Sequence, residues 1–368
     1  MLRVCGITYD HTINYGSCFQ AYALQTAVER TVVGEGETCE YRLIPVKTFR
    51  DWPKGKWFVR WFELLMLFFH TYFLPFEREY MRFADVSCME ELSRLNAHTD
   101  AYICGSDVIW NPDFNYGFTA FFLDFTNRYK FSYAASFGKA ELPEDYMHRI
   151  AKHLRALDQI SVREETGIAV VAKYTGRSAE VVIDPVFLLD RADWDQVAGP
   201  KANKGKYIFV YATHLNPTIK SFVSQLHKKS GLRVEYSASG PKQAMRLGLL
   251  RPQTPQRWLQ QLRDAEYVVT NSFHATAFST IFHKKFFTVV HGEKDKGINI
   301  RMNDYLRSIG LDSRLFSAVP EEIDTGEIDY SEADRRIESL KQSSLDFLHS
   351  NLEAAYQQKL NSESKEQS

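Results

Sequence analysis

Apolar and polar positions alternate along this chain in blocks. Short runs rich in β-branched or aromatic residues are each followed by a polar turn and then by a stretch with helical spacing. Continuous apolar runs of this kind fit strands covered on both faces, as in a parallel sheet. The pattern predicts strands over 2–8, 40–46, 100–104, 121–124, 131–135, 159–162 and 181–183, and again over 207–211, 234–236, 267–269 and 286–290. Helices are predicted over 17–32, 57–83, 143–157, 165–173, 217–229, 255–263, 275–282, 303–309 and 331–360. Strand, turn and helix in series make an α/β fold with its turns gathered along one sheet edge.

The pattern is interrupted at 199–205, where Gly, Pro, Lys and Asn read as a linker. With 368 residues, at ~150 residues per domain, two domains are expected. The first covers 1–195 and carries an aromatic helical insertion at 54–97. The second covers 206–330, a helix over 331–360 packs back on the first, and the polar tail 361–368 is expected to be disordered.

The stretch around residues 267–278 carries the strongest site signal. Its apolar run breaks at Asn271 and resumes as the small, apolar helix of 275–282, so Ser272 and His274 sit on a strand-to-helix turn. Ligands of open α/β sheets bind at that edge, and a helix start holds anions. Turns of the same kind follow other strands at Asn14-Tyr15-Gly16-Ser17, Gly105-Ser106-Asp107, Ser136-Phe137-Gly138 and Arg163-Glu164.

Composition narrows the function classes. A net charge of -1 gives no field suited to nucleic acid. Cys5, Cys18, Cys39, Cys88 and Cys104 show no CxxC spacing, so neither a zinc site nor a disulfide framework is indicated, and a reducing compartment fits. The first residues turn polar too soon for a signal peptide, which predicts a cytoplasmic protein. Residues 57–83 are aromatic and helical, with Lys54, Lys56, Arg60, Arg78 and Arg82 around them. The uncharged run 64–69 is far below the ~20 residues that span a bilayer. Two readings stand for this region: a helical hairpin packed on the domain, or a surface helix resting peripherally on the inner face of the membrane.

Taken in order, these motifs resemble a known family. Asn14-Tyr15-Gly16-Ser17 with 20–25, Gly105-Ser106-Asp107 with Trp110-Asn111, 135–138, Ser161-Val162-Arg163-Glu164, Asp184-Pro185 and Ser272-Phe273-His274 are similar to the polysaccharide pyruvyl transferases, from residue 2 to about 311. The resemblance implies a GT-B-like fold, two Rossmann-like domains facing across a cleft. It also implies transfer of the pyruvyl group of phosphoenolpyruvate onto two sugar hydroxyls as a cyclic ketal, in bacterial surface or capsular polysaccharide biosynthesis on a lipid-linked oligosaccharide. In the family's characterised branch an arginine two residues before the histidine helps hold the donor. Here that position is Ser272, and the glycine common after the histidine is Ala275.

Ketal formation needs a general acid to protonate the donor methylene, a role that suits His274. It needs planar cations for the phosphate and carboxylate, which Arg163 matches. Ser272, Asn271 and the helix start would supplement that grip, with Arg301 and Lys296 as candidates for the second cation. Asp107 is the candidate acceptor-side base. Asp10, His11, Asn14 and Tyr15 are placed on the acceptor half. No cofactor or metal is expected, since no His, Asp and Glu cluster has ligand spacing. The alternatives are a glycosyltransferase using a nucleotide sugar and a non-catalytic glycan-binding protein.

Overall fold

The structure is a computed structural model. It describes residues 1–9, 13–46, 57–113, 118–139, 141–202, 205–249, 252–290 and 296–366, with backbone alone for 57–63, 296–301 and 366. It contains two parallel sheets. The first half of the chain gives β1 (Leu2–Ile7), α1 (Tyr15–Arg30), β2 (Val32–Val33), β3 (Glu37–Leu43), α2 (Trp57–His70), α3 (Leu74–Tyr80), β4 (Ala101–Cys104) and β5 (Tyr129–Ser132). There follow α4 (Glu144–Arg155), β6 (Ser161–Val162), α5 (Glu165–Thr175), β7 (Glu180–Val181) and α6 (Arg191–Ala198). The sheet order is β2-β3-β1-β4-β5, parallel except for the β2–β3 hairpin. Bridges from Phe131 to Gln159 and from Ala135 to Val162 carry it on to β6 and β7.

The second half gives β8 (Tyr207–Ala212), α7 (Pro217–Ser230), β9 (Arg233–Ala238), α8 (Pro241–Arg246), α9 (Pro255–Asp264), β10 (Tyr267–Thr270) and α10 (Phe273–Ile281). It closes with β11 (Lys285–Val289), α11 (Lys296–Ser308), β12 (Leu315–Phe316) and α12 (Ser331–Glu366). Its sheet is parallel throughout, in the order β12-β11-β10-β8-β9. Without the β2 hairpin strand, the first sheet follows the doubly wound order 2-1-3-4, carried on by β6 and β7, and the second follows 2-1-3-4-5. Such a sheet reverses its winding between the first and third strands, and the crevice outside their carboxyl ends is the usual ligand site. Here those points are β1/β4 and β8/β10. This is the GT-B-like arrangement of two Rossmann-like units.

The two units meet through α1 and α10 over a shared apolar core. Phe19 of α1 packs edge-on against Phe278 of α10 (5.1 Å between centroids) and Trp194 of α6 (5.6 Å). Tyr15 is stacked between Phe73 (5.2 Å) and Trp258 (5.1 Å). α12 runs back over the first unit, where Asn351 meets the Tyr129 hydroxyl and Ser344 Oγ accepts from Ile183 N.

Three sequence expectations need correcting. The strand expected over 121–124 is part of a 3-10 turn, Thr119–Phe122, buried because Trp110 stacks on Phe122 and donates its indole N–H to Phe121 O. The tail expected to be disordered continues α12 as far as Glu366. The helix expected over 303–309 begins earlier, as α11 from Lys296, so Lys296 and Arg301 lie on it, with side chains outside the described residues.

Candidate active site

The carboxyl ends of both sheets converge at the α1–α10 junction. From the first unit, β1 leads to the α1 start, β4 to Gly105-Ser106-Asp107, β6 to Arg163-Glu164 and β7 to Asp184. From the second, β10 leads to Asn271-Ser272 and His274 on the first turn of α10. Each turn forms for a local reason. Asn14 caps α1, its side chain accepting from Gly16 N at 3.0 Å. Gln20, one turn on, ties the end of β1 to α1 by donating to Thr8 Oγ1, Tyr9 O and Ser17 O. Gly105 adopts φ +125, and a Cβ there would come within 2.1 Å of Tyr133 O.

Asp184 is the hub, a role that sequence reasoning missed. Its Oδ2 accepts from Arg163 Nη1 at 2.9 Å and from Ser106 Oγ at 3.3 Å, and lies 3.6 Å from His274 Nε2. All four residues are buried. Burial alone would raise the Asp184 carboxyl, but the neighbouring His274 and the charge and hydrogen bond of Arg163 override it and hold the group well below the ordinary carboxylate range. The signal available beforehand was the Asp184-Pro185 motif, which marks a turn without revealing its partners.

Arg163 has further company. Its Nε lies 3.4 Å from Glu164 Oε1, which Ser136 Oγ holds at 2.5 Å, and its guanidinium covers the Phe273 ring at 4.6 Å. Burial works against its charge, while Glu164, Asp184 and Asp107 more than offset this and raise its pKa. Two nitrogen atoms in this cluster are nevertheless buried without a hydrogen-bond partner among the described residues: Arg163 Nη2 and His274 Nε2. Nδ1 on the other side of the His274 ring faces Gly16, where a Cβ would approach it to 2.1 Å. The glycine of the Asn14-Tyr15-Gly16-Ser17 turn is therefore required by the imidazole of the other unit.

The remaining sequence candidates divide. Asp107 belongs to the cluster: its Oδ2 accepts from Ser17 Oγ at 2.6 Å and its Oδ1 from Val108 N. Ser272 is the N-cap residue of α10, and its side chain makes no capping bond. Asn271 is committed elsewhere. Its Oδ1 accepts from Thr213 N and Oγ1, and its Nδ2 donates to His214 O, which pins the end of β10 to the end of β8. Tyr15 is buried and stacked on Phe73 and Trp258, and the Asn14 side chain is used as a cap. Asp10 and His11 lie outside the described residues.

A cavity of about 270 Å³ adjoins the cluster, lined among others by Arg163, Asp184, Phe273, Asp304, Tyr305 and Arg307. Burial pushes the Asp304 carboxyl up, and Glu164 and Glu165 add to the effect. Nothing in the local pattern around Asp304 marked it as a site residue. Among the described residues no group of three or more His, Cys, Asp or Glu is placed to hold a metal ion.

No curated protein matches the chain. Among solved structures it is similar to a protein of Listeria monocytogenes described as a UDP-N-acetylglucosamine 2-epimerase, with TM-score 0.49, 13% identity, and 96% of this chain and 91% of that one covered. It is also similar to the UDP-N-acetylglucosamine 2-epimerase of Rickettsia bellii (TM-score 0.45, 12% identity, 95% and 98% covered). A third is E. coli heptosyltransferase WaaC with ADP (0.41, 11%, 92% and 100%). Likenesses this remote speak to neither substrate nor residue roles. The family profile described as polysaccharide pyruvyl transferase matches residues 14–293, a span that contains Gly16, Asp107, Arg163, Asp184 and His274. The chain belongs to the polysaccharide pyruvyl transferase family.

Proposed function

We propose that this protein transfers the pyruvyl group of phosphoenolpyruvate onto two hydroxyls of a sugar, forming a cyclic ketal and releasing phosphate. The acceptor in this reading is a lipid-linked oligosaccharide of a bacterial surface polysaccharide. Family membership makes it a transferase acting on polysaccharide. The observation that supports the finer reading is the pair of unpartnered buried donors, Arg163 Nη2 and His274 Nε2, on either side of Asp184. Buried polar atoms are normally paired, and each exception asks for an explanation. An anionic donor supplies one: its oxygens accept from Nη2, and the starts of α1 and α10 add their partial positive charge.

In this scheme His274 Nε2 gives a proton to the donor methylene, and the adjoining carbon takes on oxocarbenium character. The first sugar hydroxyl adds there and loses its proton to Asp107, acting as general base. Phosphate leaves with the C–O bond electrons. The second hydroxyl then adds to the same carbon and releases its proton. One hydroxyl proton replaces the proton consumed at the methylene, and the other leaves with phosphate.

The test is acceptor-dependent phosphate release from phosphoenolpyruvate, with the product identified by mass. His274→Ala and Arg163→Ala should each cut turnover by about 100-fold or more. Turnover near wild type in both, with folding intact, would sink the proposal.

A further inference from the structure

Exposed large apolar side chains concentrate in one place. Leu64, Leu67 and Phe68 of α2 are 62%, 61% and 44% exposed, and their spacing sets them on one helix face. That face is held outward by packing behind it. Phe69 is buried, and His70 Nε2 lies 3.7 Å from the buried carboxylate of Glu77 on α3. α2 lies against α8 of the second unit, which exposes Met245 (63%) together with Lys242 and Arg246. The patch therefore joins both units.

The sequence around it says what covers it. Residues 47–61, which lead into and open α2, carry five basic residues against one acid, and three of the chain's six tryptophans. Tryptophan and arginine suit either kind of surface, but lysine, three of the five basic residues, is depleted at protein–protein interface cores. The mixture matches the headgroup layer of an anionic bilayer, where cations meet phosphates, indoles sit at the boundary and leucines enter the acyl region. At 14 residues α2 is about 21 Å long, too short to cross a bilayer. Among the described residues no helix is long and apolar enough to do so.

We propose that α2, with the adjoining edge of α8, docks this protein peripherally on a bilayer bearing anionic lipid, its helix axis in the membrane plane. The proposal does not rest on the donor chemistry and holds whatever group is transferred.

The experiment is flotation of the full-length protein with phosphatidylcholine vesicles, with and without phosphatidylglycerol. The protein should float with the phosphatidylglycerol vesicles, and high salt should weaken that binding. The double substitution Leu64→Glu, Leu67→Glu should lower the bound fraction roughly tenfold. Its thermal midpoint and its turnover with a soluble acceptor should stay unchanged. Ile168→Glu, at an exposed apolar position on α5, should bind as wild type. Failure to float with the anionic vesicles overturns the proposal, as does flotation indifferent to the double substitution. So does a concentration-dependent dimer that the double substitution dissolves, because the face would then belong to a second copy. Phosphate release is read separately, so loss of one conclusion leaves the other standing.

Discussion

Gly16→Ala should disable the site through a residue that carries no chemistry. The added Cβ would lie 2.1 Å from His274 Nδ1, 2.3 Å from Cγ and 2.7 Å from Cβ. Ordinary contact begins near 3.4 Å, so the Nδ1 contact alone is about 1.3 Å too close. Turning the ring does not relieve it, because the His274 Cβ is also too near. Asp184 Oδ2 at 3.6 Å from Nε2 and the Phe273 ring at 5.3 Å limit movement on the other sides. The start of α1 or of α10 must shift. Overpacking of this kind costs about 1–3 kcal/mol of stability. A catalytic group moved by ~1 Å costs about 100-fold in rate. Steady-state phosphate release should therefore show kcat down about 100-fold, while denaturant unfolding shows a modest loss. Gly240→Ala is the control, since nothing lies within 4 Å of the added Cβ and the backbone there is extended. A folded Gly16→Ala protein with wild-type kcat would refute the claim that the two units meet through this imidazole.

Two further outcomes follow from the same packing. Asp184→Asn takes from buried Arg163 its closest counter-charge and should cost about 3–5 kcal/mol in urea unfolding at neutral pH. Because the folded-state carboxyl is held well below its unfolded value of ~3.9, its contribution is complete above that pH and is lost as pH falls below it, so the gap between wild type and variant should narrow in acid; a gap constant down to pH ~2 would contradict this. Tyr15→Ala should lose about 3–5 kcal/mol, whereas Tyr15→Phe should be near neutral in both stability and acceptor KM, because the hydroxyl's contact to Gln253 O is a long one of 3.4 Å; a raised acceptor KM in Tyr15→Phe would instead put the hydroxyl in contact with the acceptor.

How far the chain could be read follows from the range of each interaction. The β10–α10 turn was legible because everything that defines it is local: a β-branched run, a break at Asn271 and a small apolar helix. Similar local logic exposed the turns after β1, β4 and β6. The short run 121–124 reads as a strand because its three apolar residues, Phe121 to Leu123, fit a strand or a turn equally well. Its state is set by Trp110, whose indole fixes the chain there. Asn271 and Tyr15 were placed with the ligand because both occupy polar turns beside the site. Their actual partners, Thr213 and His214 for one and Phe73 and Trp258 for the other, are distant along the chain. Asp184 shows the same limit from the other side. Its importance comes from Ser106, Arg163 and His274 meeting at one oxygen, which no local pattern encodes.

That meeting bears on how a buried guanidinium and imidazole would receive the proposed anionic donor. A guanidinium out of water needs counter-charge at all times, and Asp184 provides it to Arg163. Its two nitrogen neighbours lie at different distances. The Arg163 contact at 2.9 Å is a full hydrogen bond, whereas His274 Nε2 at 3.6 Å is beyond hydrogen-bond reach. The carboxylate thus leaves His274 Nε2 without a hydrogen bond, and Arg163 Nη2 is left open in the same way. An unpaired buried donor costs about 1–3 kcal/mol, and a ligand oxygen recovers that energy without first breaking the Arg163–Asp184 pair. Had Asp184 satisfied both atoms, any incoming anion would have to displace it, at the larger cost of separating a buried ion pair. The slightly long contact is what keeps the proposed site both stable when empty and receptive.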